Sequence, residues 1–210
     1  MYRRDKGRIA VKIYDKIAKK YTERFFNDFS DRNFVNNFLA LLSRKAKILD
    51  VGCGPGNFTE YFIRKGYTVE GIDLSKEMIK MAKQKVPQGS FKIMDLRKLK
   101  YSRESFDGVF SAYSLIHIPK RDINSTLKEF NKVLRPKGLL FLAIQEGEGE
   151  KFVREPLKEG EKIFIKFFTT KELEGSLRKT SFKIIKTMKR NIKVKGELGS
   201  KKLFIIAEKI

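Results

Sequence analysis

From Ala46 to Gln145 the chain alternates between two kinds of segment: short runs of β-branched and aliphatic residues, and amphipathic stretches with helical spacing. AKILDV is followed by NFTEYFIRKG, YTVEGID by SKEMIKMAKQKV, SFKIMD by a short connector and FDGVFSAYS, and DINSTLKEFNKVL by GLLFLAIQ. Strand-length runs separated by amphipathic helices imply parallel strands joined by crossover helices. The pattern predicts an α/β fold: a Rossmann-like open sheet of about seven strands, mostly parallel, with helices on both faces.

The flanks extend this reading. In RIAVKIYDKIAKKYTERFF, Ile9, Ile13, Ile17, Tyr21 and Phe25 recur every four residues beside Tyr14 and Ala18, which predicts an amphipathic helix. A second helix is expected after a cap at Ser30 or Asp31, with Phe34, Val35, Phe38, Leu39, Leu41 and Leu42 on its apolar face up to Ser43. After Gln145, EGEGEKFVREPLKEGEK reads as a polar loop and KIFIKFF as extended. Thr169 and Glu172 have capping-box spacing at the start of a helix. SFKIIKTMKR and KKLFIIAEKI then read as an antiparallel C-terminal hairpin at the sheet edge, turning between Gly196 and Gly199. A chain of 210 residues with 41% apolar content supports one core. One domain is expected over 1–210, made of an N-terminal helical segment (1–44), a sheet core (45–145), an insertion (146–168) and a C-terminal helix and hairpin (169–210).

Composition excludes several classes of function. No window approaches the roughly 18 consecutive apolar residues of a membrane span, and the N-terminal MYRRDKGRIAVKIYDKIAKK lacks the apolar region of a secretory signal, so a cytoplasmic protein without membrane insertion is expected. One cysteine, Cys53, permits no internal disulfide, and with His117 the only histidine no metal site is expected. The net charge of +22 suits either a solvated basic face or an anionic partner. The excess concentrates between Arg178 and Lys202, where ten basic residues face a single acid, Glu197.

ILDVGCGPGNF carries Gly52, Gly54, Pro55 and Gly56 directly behind a buried-strand pattern and ahead of a helix. Such a loop permits positive φ and the close approach of another molecule to the main chain. It lies at the carboxyl end of the first strand, where open α/β sheets bind ligands. The spacing is G-x-G-x-G rather than the G-x-G-x-x-G of dinucleotide sites, and Asp50 just before it is a poor neighbour for a pyrophosphate but a good one for an ammonium or sulfonium group. Asp73 closes the second strand pattern, where a carboxylate accepts hydrogen bonds from ribose hydroxyls. Asp95 closes the third, where its carboxylate or the Leu96 amide meets an adenine edge. Together these favour a cationic nucleoside over NAD.

ILDVGCGPG, VEGIDLS, the acid of FKIMD, FDGVFSAYSLIHIP and FNKVLRPKGLLFLA resemble the successive motifs of the class I S-adenosylmethionine-dependent methyltransferases, in their compact, mostly small-molecule subgroup. The resemblance implies S-adenosyl-L-methionine as cofactor and methyl transfer to an O or N atom of a small-molecule acceptor. It implies that Gly52, Gly54 and Gly56, with Asp50 and Cys53, surround the methionine part, that Asp73 and Leu74 hold the ribose, that Asp95 and Leu96 face the adenine, and that Ser111 sits by the methyl donor. By the same resemblance the N-terminal helices form a lid, with Tyr14 and Tyr21 either packing the first helix onto the sheet or touching cofactor or acceptor; the 146–168 insertion, whose EGEGEKFVREPLKEGEK carries Arg154, is either a second lid in which Arg154 recruits an acidic substrate group or a solvated loop. His117 is either the general base for the acceptor or a residue packed between Ile116 and Ile118. Two positions depart from the family pattern: Lys137 and Ser181 stand where glycine is usual. A tRNA or rRNA methyltransferase that uses the basic C-terminal stretch and a non-catalytic S-adenosylmethionine-binding protein are the alternatives. A monomer or homodimer is expected.

Overall fold

The computed structural model describes residues 6–191 and 201–210. Seven strands form one sheet in the order β3-β2-β1-β4-β5-β9-β8: β1 (Lys47–Val51), β2 (Thr68–Asp73), β3 (Ser90–Ile93), β4 (Phe106–Ala112), β5 (Leu134–Gln145), β8 (Phe182–Asn191) and β9 (Lys201–Lys209). The first five pair in parallel and β9 runs antiparallel between β5 and β8, as the alternation of patterns implies. The turn expected between Gly196 and Gly199 lies outside the described residues. Helices α3 (Asn57–Arg64), α4 (Lys76–Lys85), α5 (Lys120–Val133) and α6 (Thr170–Lys179) supply crossovers, and α1 (Lys6–Phe25) and α2 (Arg32–Leu39) precede the sheet.

Period-two alternation gives each strand two faces to bury. In β5, Leu139, Phe141 and Ala143 join the core beneath α2 and α3, while Leu140, Leu142 and Ile144 join the opposite core with α5 and α6. Strand β9 repeats the division with Phe204 and Ile206 against Leu203, Ile205 and Ala207. Helices therefore cover both faces. Among the described residues no helix is long and apolar enough to cross a membrane.

The flanks depart from expectation in three places. Helix α2 stops at Leu39, and the Asp31 side chain makes no cap hydrogen bond because it turns to Tyr113 instead. The stretch read as a polar loop contains a strand, β6 (Glu150–Arg154), which pairs as an antiparallel hairpin with β7 (Lys162–Lys166), the segment expected to be extended. Its polar outer strand hid the alternation that an exposed two-stranded ribbon needs on only one face. Thr169 caps α6 by accepting from the Glu172 amide (3.1 Å), but the Glu172 carboxylate binds Lys166 rather than completing a capping box.

Lys137 and Ser181, the two residues replacing the family's glycines, hold φ of 61° and 60°. Both therefore stand in the left-handed region, where a Cβ costs about 1–2 kcal/mol.

The aromatic packing beneath the site ties β4 to β5: Phe110 and Phe141 stack at 4.9 Å, and Phe38 closes on both. Phe141→Ala should lower unfolding free energy by about 3–5 kcal/mol. Urea denaturation reads this, and a loss under about 1 kcal/mol would show that the cluster collapses without it.

Candidate functional site

Strand order reverses across β1 and β4, and the crevice beyond their carboxyl ends receives the glycine loop. The three glycines are there for different reasons. A Cβ on Gly52 (φ 70°) would stand 2.3 Å from the Ser114 Cβ, so the β4 loop occupies that face. A Cβ on Gly56 (φ 86°) would meet the Phe91 ring at 3.0 Å, and Gly56 lines no cleft. Only Gly54 (φ 53°) has nothing within 4 Å of the position a Cβ would take. Its N–H donates to Asp73 Oδ2 at 3.0 Å.

Two clefts adjoin at this point, offering about 100 and about 180 Å³ to the centre of a water-sized sphere. The first runs over the ends of β2 and β3, where Asp73, Leu74, Met78, Met94, Asp95, Leu96 and Arg97 line it under Ala10, Val11 and Tyr14 of α1, with Ser114 and His117 at one side. The second is walled by Asp50, Cys53, Phe58, Phe25, Arg24, Tyr113, Gln145, Glu155, Leu157 and Lys202. Tyr14, Tyr21, Gly52, Gly54, Ala112 and Tyr113 border both.

The strand-end acids differ in state. Asp73 accepts the Ser75 N–H (2.9 Å) as well as that of Gly54; burial raises its carboxyl and these backbone donors pull it back down. Asp50, 2% exposed, accepts the Thr59 hydroxyl at 2.6 Å, and burial outweighs that bond to bring it up to about 7. Asp95 lies two residues past β3 rather than closing it. Its carboxylate is held by Arg97 through Nε and Nη2, the latter at 2.7 Å, so the acid expected to meet an adenine is already engaged. Cys53 is buried, which pushes its thiol up and keeps it protonated. Ser111 corrects another expectation: it is buried beneath the cleft with Oγ 2.7 Å from Ser114 Oγ. Ser114, which donates to the Val51 carbonyl (2.8 Å), is the serine that lines the cleft.

His117 is not free to act as a base on an acceptor. It is 8% exposed, its Nδ1 lies 2.9 Å from the Phe164 carbonyl, and its Nε2 lies 3.0 Å from the Tyr14 hydroxyl. A carbonyl accepts only, so Nδ1 carries the proton and Nε2 accepts from Tyr14. The ring is a positioning residue that joins the short turn after β4 to α1 and to the β6–β7 hairpin. Burial keeps both tyrosines protonated, Tyr21 being pushed up to about 12, and their rings meet edge to face at 5.7 Å. Lys6 to Glu150 (3.1 Å) and Lys16 to Glu161 (2.6 Å) pair α1 with the hairpin region. Arg154 is exposed on β6 and lines neither cleft.

Sequence reasoning missed Ser114, Asp31, Tyr113, Gln145, Glu155 and Lys202. Gln145 left a trace, as the polar residue that ends an otherwise apolar strand. Glu155 left none, being one acid among several in a polar stretch.

Residues 48–138 match the family described as a methyltransferase domain. A putative methyltransferase, YqeM, of Bacillus subtilis is 37% identical over 63% of this chain, and a ubiquinone biosynthesis O-methyltransferase of Bartonella bacilliformis is 31% identical over 66%. The chain spans 55% and 60% of those relatives' own lengths. The 1,6-didemethyltoxoflavin-N1-methyltransferase of Burkholderia thailandensis, solved with 1,6-didemethyltoxoflavin and S-adenosylhomocysteine, superimposes with a TM-score of 0.78 at 22% identity, covering 96% of this chain and 88% of that one. At that identity the likeness is one of fold.

Burial lowers the His117 ring from 6.5 to about 4, opposed by the Phe164 hydrogen bond. Its folded value lies below its unfolded one, so its share of stability is complete above about 6.5 and is lost as pH falls toward about 4. Asp50 works in the opposite sense, losing stability as pH rises from 3.8 toward about 7. As the only histidine, His117 gives an unambiguous NMR titration. Its midpoint should fall near 4 with the proton on Nδ1; a midpoint near 6.5 would contradict the buried, doubly bonded ring.

Proposed function

We propose that the chain is a class I S-adenosylmethionine-dependent methyltransferase and that it transfers a methyl group from S-adenosyl-L-methionine to an oxygen or nitrogen of a small-molecule acceptor. One observation carries this reading. The two clefts share a border at Gly54, one lined by the acids at the strand ends and the other walled by aromatic rings.

The residues of the first cleft fit the cofactor. The open face of Gly54 fits an amino-acid tail against the main chain, Asp73 retains lone pairs for ribose hydroxyls, and Leu74, Met78 and Leu96 fit a flat base. Asp50 fits a nearby positive charge. When bound, S-adenosylmethionine supplies a methyl carbon activated by a sulfonium. The chain's own part is to fix that donor and an acceptor in line and to exclude water beneath α1 and the hairpin, which act as lids in this reading. Positioning of this kind is worth about 7–11 kcal/mol in well-oriented reactions, and no covalent group on the protein is required.

A small acceptor is favoured over RNA by how the basic stretch is used. Lys186 donates to Asn37 (2.6 Å), Lys189 pairs with Glu146, and Arg190 and Lys202 lie 2.9 and 3.7 Å from Asp31. These cations are spent within the chain. Two of the similar proteins, an O-methyltransferase and an N1-methyltransferase, bring both nucleophile types into range.

Calorimetry with S-adenosylhomocysteine and with NAD, side by side, tests the cofactor. The first should bind and the second should not. Asp73→Ala should weaken S-adenosylhomocysteine by about 1.5–3 kcal/mol, the worth of hydrogen bonds to a charged group. Unchanged affinity would remove Asp73 from its role, and preferential uptake of NAD would overturn the reading.

A further inference from the structure

The second cleft holds one buried hydrogen-bond acceptor that the fold leaves unanswered, on Gln145, and a buried carboxylate, Glu155, that forms no ion pair among the described residues. Gln145, the last residue of β5, is 4% exposed, and its Oε1 has no hydrogen-bond partner. Glu155, just beyond β6, is 7% exposed. Its Oε1 accepts the Leu157 N–H at 3.1 Å, and among the described residues it forms no ion pair. A buried carboxylate and a buried carboxamide oxygen both lose hydration that something must replace. Because both are acceptors, the missing partner is a donor.

Several other polar groups of the cleft have partners within the chain. Asp31 takes the Tyr113 hydroxyl at 2.6 Å and stands beside Arg190 and Lys202, and Asp50 holds Thr59. The His117 nitrogens are both engaged and the ring lies in the other cleft. The same cleft is lined by the rings of Phe25, Phe58 and Phe110 and by Leu157, with Tyr21 and the exposed Arg24 also on its wall. Such a space suits a flat ring that carries a donor on its rim.

We propose that the second cleft binds a planar aromatic acceptor through its hydroxyl group, which donates to Gln145 Oε1 or to the Glu155 carboxylate, and that Glu155 takes the hydroxyl proton. This rests on the methyl-transfer reading, whose cofactor half lies in the other cleft. In the proton step the acceptor's O–H bond breaks and its electron pair stays on oxygen. The proton goes to a Glu155 carboxylate oxygen, which becomes a neutral acid. Burial favours that change of charge, since it raises the Glu155 carboxyl. The phenoxide left behind has the lone pair that methyl transfer needs.

The test uses 4-nitrophenol as probe and 4-nitroanisole, which lacks the O–H, as control, titrated calorimetrically into the full chain in the presence of S-adenosylhomocysteine. The wild-type protein should take up nitrophenol at millimolar concentration and bind nitroanisole at least about tenfold more weakly, the scale of one hydrogen bond to a charged group. Glu155→Gln and Gln145→Leu should each weaken nitrophenol about tenfold or more while binding S-adenosylhomocysteine as the wild type does, which also shows that the variants fold. The yellow phenolate absorbance of bound nitrophenol should be present in the wild type and lost in Glu155→Gln. With S-adenosylhomocysteine binding intact, any of three results overturns the inference and leaves methyl transfer standing: no uptake of nitrophenol, equal binding of nitroanisole, or variants that match the wild type. Absence of S-adenosylhomocysteine binding by the wild type would instead strike down the cofactor reading on which the inference rests.

Discussion

Everything at the site depends on the reversal of strand order at β1. Strands β2 and β3 lie on one side of it and β4 and β5 on the other, so the connections after β1 and β4 leave in opposite directions and the space above their ends stays open. The parallel register that holds Asp50 beside Gly71 and Phe110 also aligns the carboxyl ends of the strands. Side chains from separate parts of the sequence meet there because the strands that carry them end together. The glycine loop adds one local requirement, since at Gly52 the chain passes so close to Ser114 that no side chain fits.

Burial sets the electrostatic character of the crevice. It lifts Asp50 and Asp73, keeps Tyr14 and Tyr21 protonated and holds His117 neutral. A strongly basic chain thus presents a cavity whose ionisable groups are mostly acids and neutral donors. Of the basic residues that line the two clefts, Arg97 is paired with Asp95 and Lys202 with Asp31, while Arg24 lies over the Phe25 ring. Overall charge therefore says little about what the cavity holds.

The sheet was legible because it is written in local periodicity. Two-residue alternation, helical spacing and glycine punctuation gave the strands, their parallel pairing and the antiparallel return of β9. Positions anchored to strand ends, such as Gly54, Asp73 and Leu74, were legible for the same reason: topology alone brings them to the crevice. Side-chain direction was not. Ser111 and Ser114 are three residues apart on a turning chain, and only the turn decides which one faces the cleft. His117 drew attention as a lone titratable group, yet its partners come from α1 and from β7, more than a hundred and nearly fifty residues away. Strand β6, unlike its partner β7, escaped because it is exposed on nearly every residue, leaving no apolar alternation to read. Glu155 escaped with it.

The imidazole that joins Tyr14 to the Phe164 carbonyl has a mechanical consequence. Helix α1 and the hairpin close the crevice from two sides, and each is fastened to the same ring by one hydrogen bond. If either swings outward, a ring nitrogen or its former partner is left buried and unmatched, a penalty of about 1–3 kcal/mol that falls once both have moved and water reaches the ring. The two covers are therefore tied to each other through the His117 ring as well as through the Lys6–Glu150 and Lys16–Glu161 ion pairs, so displacing one strains the contacts of the other.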